Sequence, residues 1–205
     1  MPTTPVTTRS ANPRDAARIV EIIDECAAQG HVLPRDVENI TLWIESFVVA
    51  EARGRVLGAA ALAACGPNLA EIRSVAVSDE ARGLGVGRSL LTYLIREARA
   101  LDLDRLFLLT RIPDFFGRLG FVVVDPERLP DPFIADVVHA QNRSFFNKHV
   151  MILDMRSPVY SERLAHLGET GEVTKPVRDA IDAADTPARV PTVVATSPKS
   201  ARAAR

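Results

Sequence analysis

Residues 81–90, ARGLGVGRSL, place glycines at 83, 85 and 87 between an alternating strand pattern, LAEIRSVAV at 69–77, and an apolar run with helical spacing. A loop of this kind takes the identity of its ligand from the surrounding chain. Without a Cβ, the backbone N–H groups of such a loop approach a ligand closely, and the helix behind adds the positive end of its dipole. The loop is therefore an anion site, and spacing excludes two phosphate loops. A dinucleotide loop needs G-x-G-x-x-G directly after a strand, whereas residues 78–82 intervene here and Arg88 holds the third position. A Walker A loop needs Gly-Lys-Ser/Thr with an earlier glycine at fixed distance, which Gly87-Arg88-Ser89 lacks. What remains is Arg82-x-x-Gly85-x-Gly87 opening a helix over 87–100, whose buried side is Leu90, Leu91, Leu94, Ile95 and Ala98.

The flanking chain predicts an α+β domain over residues 1–155. Asn12 caps a helix with Pro13 in its first position and Ile19, Ile22, Ile23 and Cys26 on one face, ending at Gly30. A second helix over 35–45 turns Val37, Ile40 and Ile44 inward. FVVAEARGRVLGAAALAA reads as a hairpin about Arg53 and Gly54. In LAEIRSVAV, simple alternation puts Glu71, Arg73, Val75 and Val77 on one face and Ala70, Ile72, Ser74 and Ala76 on the other. RLFLLT (105–110) is a strand covered on both faces, PDFFGRLGF a short helix closed by Gly120, FVVV a further strand. A helix around Phe133–Ala140 and a strand over HVMILDM complete the domain. Residues 156–171 form a short extension, and the Ala-, Pro-, Ser- and Thr-rich stretch 172–205 is expected to be a disordered tail.

Composition narrows the partners. With a formal net charge of −1, the chain has no basic field for nucleic acid or an anionic membrane. The two cysteines, Cys26 and Cys65, and the four scattered histidines form no ligand pattern, so no metal is expected, and Cys26 reads as a buried, inert thiol. The first residues lack the apolar core of a signal peptide and no stretch is apolar enough to span a bilayer, which predicts a cytoplasmic protein.

The order AEIRSVAV, RGLGVG, helix, RLFLLT, FFGRLGF resembles the GNAT superfamily of acyl-CoA N-acyltransferases over about residues 6 to 155. That resemblance implies the GNAT fold, a mixed central sheet flanked by helices in which the strand before the loop and the strand after the helix splay apart. It further implies acetyl-CoA as co-substrate. Its pyrophosphate would lie on Arg82, Gly83, Leu84, Gly85, Val86, Gly87 and Arg88, and its pantetheine arm along Val75, Ala76 and Val77. Phe116, beside the same arm, stands where many relatives carry a tyrosine acid. A homodimer is implied as well.

Four regions, LPRDVEN, AEIRSVAV, RLFLLT with FFGRLGF, and a segment with Arg143 and Ser144 before the last strand, are similar to the acetyltransferase domain of N-acetylglutamate synthases. The similarity implies an amino-acid N-acetyltransferase of arginine biosynthesis acting on glutamate or a similar small amino acid. Glu71 would be its base and Thr110 its acid, with Arg35, Arg143 and Ser144 on the acceptor's carboxylates. Arg73 joins the substrate set, since Arg35, Arg73, Arg111 and Arg143 suggest a cleft for an anion. The chemistry requires a base, because an α-amine is mostly protonated at neutral pH. Neither cysteine has an activating setting, so direct attack is expected. Three alternatives carry weight: Glu71 as merely the ion-pair partner of Arg73, a GNAT enzyme for another amine (a polyamine, an aminoglycoside or a protein N-terminus), and an acyl-CoA sensor that does no chemistry.

Overall fold

The computed structural model describes residues 5–66, 68–125, 134 and 148–156. They form one mixed seven-stranded sheet in the order β1-β2-β3-β4-β5-β7-β6. The strands are β1 (Thr7–Ser10), β2 (Phe47–Ala52), β3 (Arg55–Gly66), β4 (Leu69–Val77), β5 (Arg105–Thr110), β6 (Val122–Val124) and β7 (His149–Asp154). All neighbours are antiparallel except β4 and β5, which the helix α3 (Val86–Ala100) connects as a parallel crossover. The helices α1 (Ala16–Ala28) and α2 (Val37–Leu42) cover one face, and α3 with α4 (Pro113–Gly117) the other.

Side-chain size sets this layering. Ile19, Ile22, Ile23 and Cys26 bury the stripe of α1 against Val49, Ala59, Ala61 and Ala76, while Leu90, Leu91, Leu94 and Ile95 of α3 pack on Leu57, Ala60, Ile72 and Leu106. The small residues of β3 let both helices come close. At Gly58 a Cβ would stand 2.8 Å from Val86 Cγ1 and 2.9 Å from the Ala76 carbonyl oxygen. The hairpin turns at Arg53 (φ 51°) and Gly54 (φ 76°), as the sequence predicts.

Two features of β4 position the site. Ala61 pairs with Arg73 and Ala59 with Ala76, so β4 holds one residue more than β3 over that stretch, and Ser74 takes φ 53° at the bulge. The bulge corrects the simple alternation. Ala70 and Ile72, and beyond it Val75 and Val77, pack with α3, whereas Ala76 packs with α1. The second feature is the splay: β4 and β5 pair only at Leu69–Arg105, Ala70–Leu106 and Glu71–Phe107. Beyond Glu71 the strands run on to Val77 and Thr110 unpaired with each other, leaving a wedge between them.

Other departures have local causes. The second helix is shorter than expected, because the Asp36 carboxylate caps it by accepting from Asn39 N at 2.7 Å and a 3₁₀ turn, Ile44–Ser46, follows it. Val37 then lies in the first turn and is exposed rather than inward. β1, absent from the sequence reading, is a four-residue edge strand with little apolar pattern. Of the expected helix around 133–140 only Ile134 is described, in helical conformation and buried. Arg143, Ser144, the extension after residue 156 and the tail lie outside the described residues.

The start of α1 is tied to the sheet by charge. Arg9 on β1 donates to Asp15 (Nη1–Oδ2, 2.8 Å) and to Glu51 on β2 (Nη2–Oε2, 2.6 Å), and Asp15 Oδ2 also accepts from Asn12 N at 2.8 Å. The hydrogen bond from Arg9 holds the buried Asp15 carboxyl below its ordinary value. A carboxyl depressed in the folded state contributes stability that is complete above its unfolded value, near 4, and is lost as pH falls through the lower folded value. Asp15→Asn is therefore expected to cost about 1–3 kcal/mol at pH 7, the worth of a hydrogen bond to a charged group, and to flatten the fall in Tm below about pH 4. An unchanged acid-side slope in thermal melts of the variant would contradict this.

Candidate active site

The wedge opens into a cavity of about 720 Å³ running from the glycine loop, past β4 and β5, to the segment after α1. At the loop end a 3₁₀ turn (Asp79–Ala81) leads into Gly83 (φ 74°) and Gly85 (φ 86°), and Gly85 stands at the N-cap of α3 with no side-chain cap. The first-turn N–H groups of Val86, Gly87 and Arg88 therefore have no partner within the helix and line the cavity wall. A Cβ at Gly83 would meet nothing within 4 Å, so the cradle is open on that side. Open backbone donors at a helix N-terminus fit a pyrophosphate.

Most of the residues predicted for the cofactor converge here. Val75, Val77, Arg82, Gly83, Gly85, Val86, Gly87, Arg88 and Phe116 line the cavity. Ala76 and Leu84 do not: the bulge turns Ala76 into the core under α1, and Leu84 packs against the core beside α3. Phe116 is buried, edge-on to Phe115 (5.0 Å between centroids) and to Phe121 (6.1 Å), and has no proton to give.

Glu71 sits where the β4–β5 pairing ends, 6% exposed. Arg73 keeps its Nε buried without a hydrogen-bond partner, so the simple Glu71–Arg73 pair is not made through that nitrogen. Thr110, 5% exposed at the end of β5, accepts from Ile112 N at 3.0 Å through Oγ1. A hydroxyl that accepts in this way still has its proton to donate. Arg35, across the cavity, donates to Ser74 Oγ at 3.0 Å and to Asn39 Oδ1 at 2.8 Å. The bulge residue thus holds Arg35 in place.

Lys148 and Arg111 complete a group of cations, and Lys148 escaped the sequence reading. The antiparallel pair Thr110–His149 carries Arg111 and Lys148 one step past the strand ends, opposite each other at the cavity wall. A lysine just before the last strand was the available signal, but the register of β7 on β5 is needed to interpret it. Burial, and then the charge of Arg111, pushes the Lys148 amine below its ordinary value, while Glu71 opposes the shift. Arg35 is pushed down in the same way by burial and then by Arg73, again against Glu71. Cys26 donates to the Val77 carbonyl at 3.5 Å and lies buried at the wall. Among the described residues no cluster of His, Cys, Asp or Glu could hold a metal ion, and no helix is long and apolar enough to cross a membrane.

Residues 17–121 match the model of the acetyltransferase (GNAT) family. The chain belongs to that family. It is 34% identical over 152 residues to an uncharacterized N-acetyltransferase of Chlorobaculum tepidum, covering 74% of this chain and 98% of that one. It is 32% identical over 140 residues to the amino-acid acetyltransferase of Mycobacterium tuberculosis, covering 67% and 78%. In structure it is similar to the N-acetylglutamate synthase of Neisseria gonorrhoeae complexed with coenzyme A and N-acetyl-glutamate (TM-score 0.66, 28% identity), over 74% of this chain and 35% of that longer one. The acetyltransferase fold, with its splayed mixed sheet, is thus the one the strand–loop–helix order implied.

The cation group has a measurable signature. The chain has three lysines, Lys148, Lys175 and Lys199. A lysine whose value is lowered loses its proton at lower pH than the others, so the 13Cε resonance of Lys148 is expected to titrate first, and Arg111→Gln to move its midpoint upward. A Lys148 midpoint at or above those of the other two would contradict the crowding.

Proposed function

We propose that this acetyltransferase moves acetyl from acetyl-CoA to the α-amine of glutamate or a similar small amino acid. One observation carries the reading: a buried carboxylate, Glu71, lies at the apex of the β4–β5 wedge and interacts electrostatically with both Arg35 and Lys148. Bound acetyl-CoA supplies a thioester carbonyl open to attack by an amine. The N–H groups of Gly83, Gly85, Val86, Gly87 and Arg88 hold its pyrophosphate, and the edge of β4 at Val75–Val77, unpaired on the β5 side, offers backbone partners to its arm. Glu71 accepts the proton that the acceptor's ammonium must lose, directly or through one water. Thr110 returns a proton toward the leaving sulfur, a role open to it because Phe116 cannot fill it. Arg35 and Arg73 take one carboxylate of the acceptor, and Arg111 with Lys148 a second.

Charge decides against the cationic acceptors. Two like unit charges about 4 Å apart repel by about 4 kcal/mol at an effective dielectric constant near 20. A polyamine or an aminoglycoside would meet that penalty at several of these cations, whereas a carboxylate gains from each. On this reading the protein serves amino-acid biosynthesis in the cytoplasm, and with glutamate as acceptor, arginine biosynthesis.

A thiol-release assay with acetyl-CoA across the common amino acids tests the reading. Release is expected with acidic amino acids and not with polyamines, and Glu71→Gln is expected to lower kcat about 10²–10⁴-fold, partly recovered at higher pH. Tight coenzyme binding without acceptor-dependent release would favour the sensor. An unchanged kcat and pH profile in Glu71→Gln would end the general-base role.

A further inference from the structure

α1 ends in a glycine turn that reaches the far end of the cavity. Gly30 N (φ 73°) donates to the Ala27 carbonyl at 2.8 Å and His31 N to the Cys26 carbonyl at 3.1 Å, the paired bonds by which a helix closes on a left-handed glycine. Residues 31–34 then lead to Arg35, which is pinned by Ser74 and Asn39. The turn and the segment after it are thus fixed at both ends.

Arg111 lies on this turn. A Cβ at Gly30 would stand 2.9 Å from Arg111 Nη1 and 3.9 Å from Cζ, so the guanidinium covers the bare side of the glycine. The contact crosses the wedge, because Arg111 leaves β5 just past Thr110 whereas α1 packs on β3 and β4. It answers two costs. Arg111 is exposed, and a long exposed side chain loses rotamer freedom whenever it holds one direction. It also faces Lys148, a like charge. At Gly30 the guanidinium rests against backbone, which limits its rotamers, and stands at the negative end of the α1 dipole, which favours a cation.

We infer that Gly30 is a positioning residue: its missing side chain seats the Arg111 guanidinium at the end of α1 and so aims it, opposite Lys148, at the second carboxylate of the acceptor. This rests on the acceptor reading above and adds to it the backbone position through which Arg111 acts.

Gly30→Asn separates this role from the stability of the turn itself. Asparagine tolerates a positive φ and closes helices in the same way, so Tm is expected to stay nearly unchanged, but its Cβ displaces the flexible end of Arg111. The acceptor KM, measured by thiol release, is expected to rise about 10- to 100-fold, the worth of one charge-assisted hydrogen bond, with the KM for acetyl-CoA kept. Placed on Arg111→Gln, Gly30→Asn is expected to add little, since both act on one guanidinium. An acceptor KM unchanged in Gly30→Asn, or a full further rise in the double variant, would overturn the assignment. The Arg111 Nε–H resonance, identified by its loss in Arg111→Gln, reads the seat without an acceptor and is expected to shift in Gly30→Asn. No shift would overturn the seat. A shift in a protein whose parent releases no thiol with any amino acid would instead overturn the acceptor reading and leave the seat standing.

Discussion

The site depends on where the hydrogen bonding between β4 and β5 stops. Three parallel pairs hold the strands together up to Glu71 and Phe107, and each strand then satisfies its outer edge elsewhere: β4 on β3, and β5 on β7 as far as Thr110–His149. The inner edges are left free, which an ordinary sheet avoids because unpaired backbone groups are costly away from water. Here the free edge faces a cavity wide enough for a ligand to complete it. The Ser74 bulge contributes by bending β4 just past the last pair, and its hydroxyl then receives Arg35. Backbone irregularity and cavity-facing charge therefore come from one insertion.

Electrostatics divide the cavity into two ends. The loop end presents backbone N–H groups, a helix dipole and arginines that reach solvent, a set suited to an anion. The far end uses half-buried cations crowded closely enough for burial and like charge to push two of them, Arg35 and Lys148, below their ordinary values. Such crowding costs folding free energy unless something negative offsets it, and Glu71 opposes both shifts. On the proposed function, the carboxylates of a small acceptor would add to that opposition.

Much of this was legible in the sequence because local rules were enough. The glycine spacing, the apolar stripe of α3 and the buried run RLFLLT each follow from one helix or strand. What remained hidden needed tertiary register. The shift of Val75 and Val77 to the α3 face depends on a bulge no propensity marks, since a serine with positive φ is uncommon. The exposure of Val37 follows from a cap at Asp36 that competes with the apolar pattern. Lys148 joins the cavity wall only once β7 is laid beside β5. Arg35 and Glu71, distant in sequence, were linked by the resemblance to N-acetylglutamate synthases rather than by any pattern of spacing, and the folded chain brings both to one cavity.

A crystal structure of the protein with coenzyme A and an N-acetylated acidic amino acid would test the central claim most directly. The predicted result has the product's amide nitrogen within hydrogen-bonding reach of Glu71, directly or through one water. Its carboxylates would lie on Arg35 and Arg73 and on Arg111 and Lys148, with the coenzyme's arm along the free edge of β4. Product carboxylates turned to solvent, or an arm bound away from the wedge between β4 and β5, would contradict it.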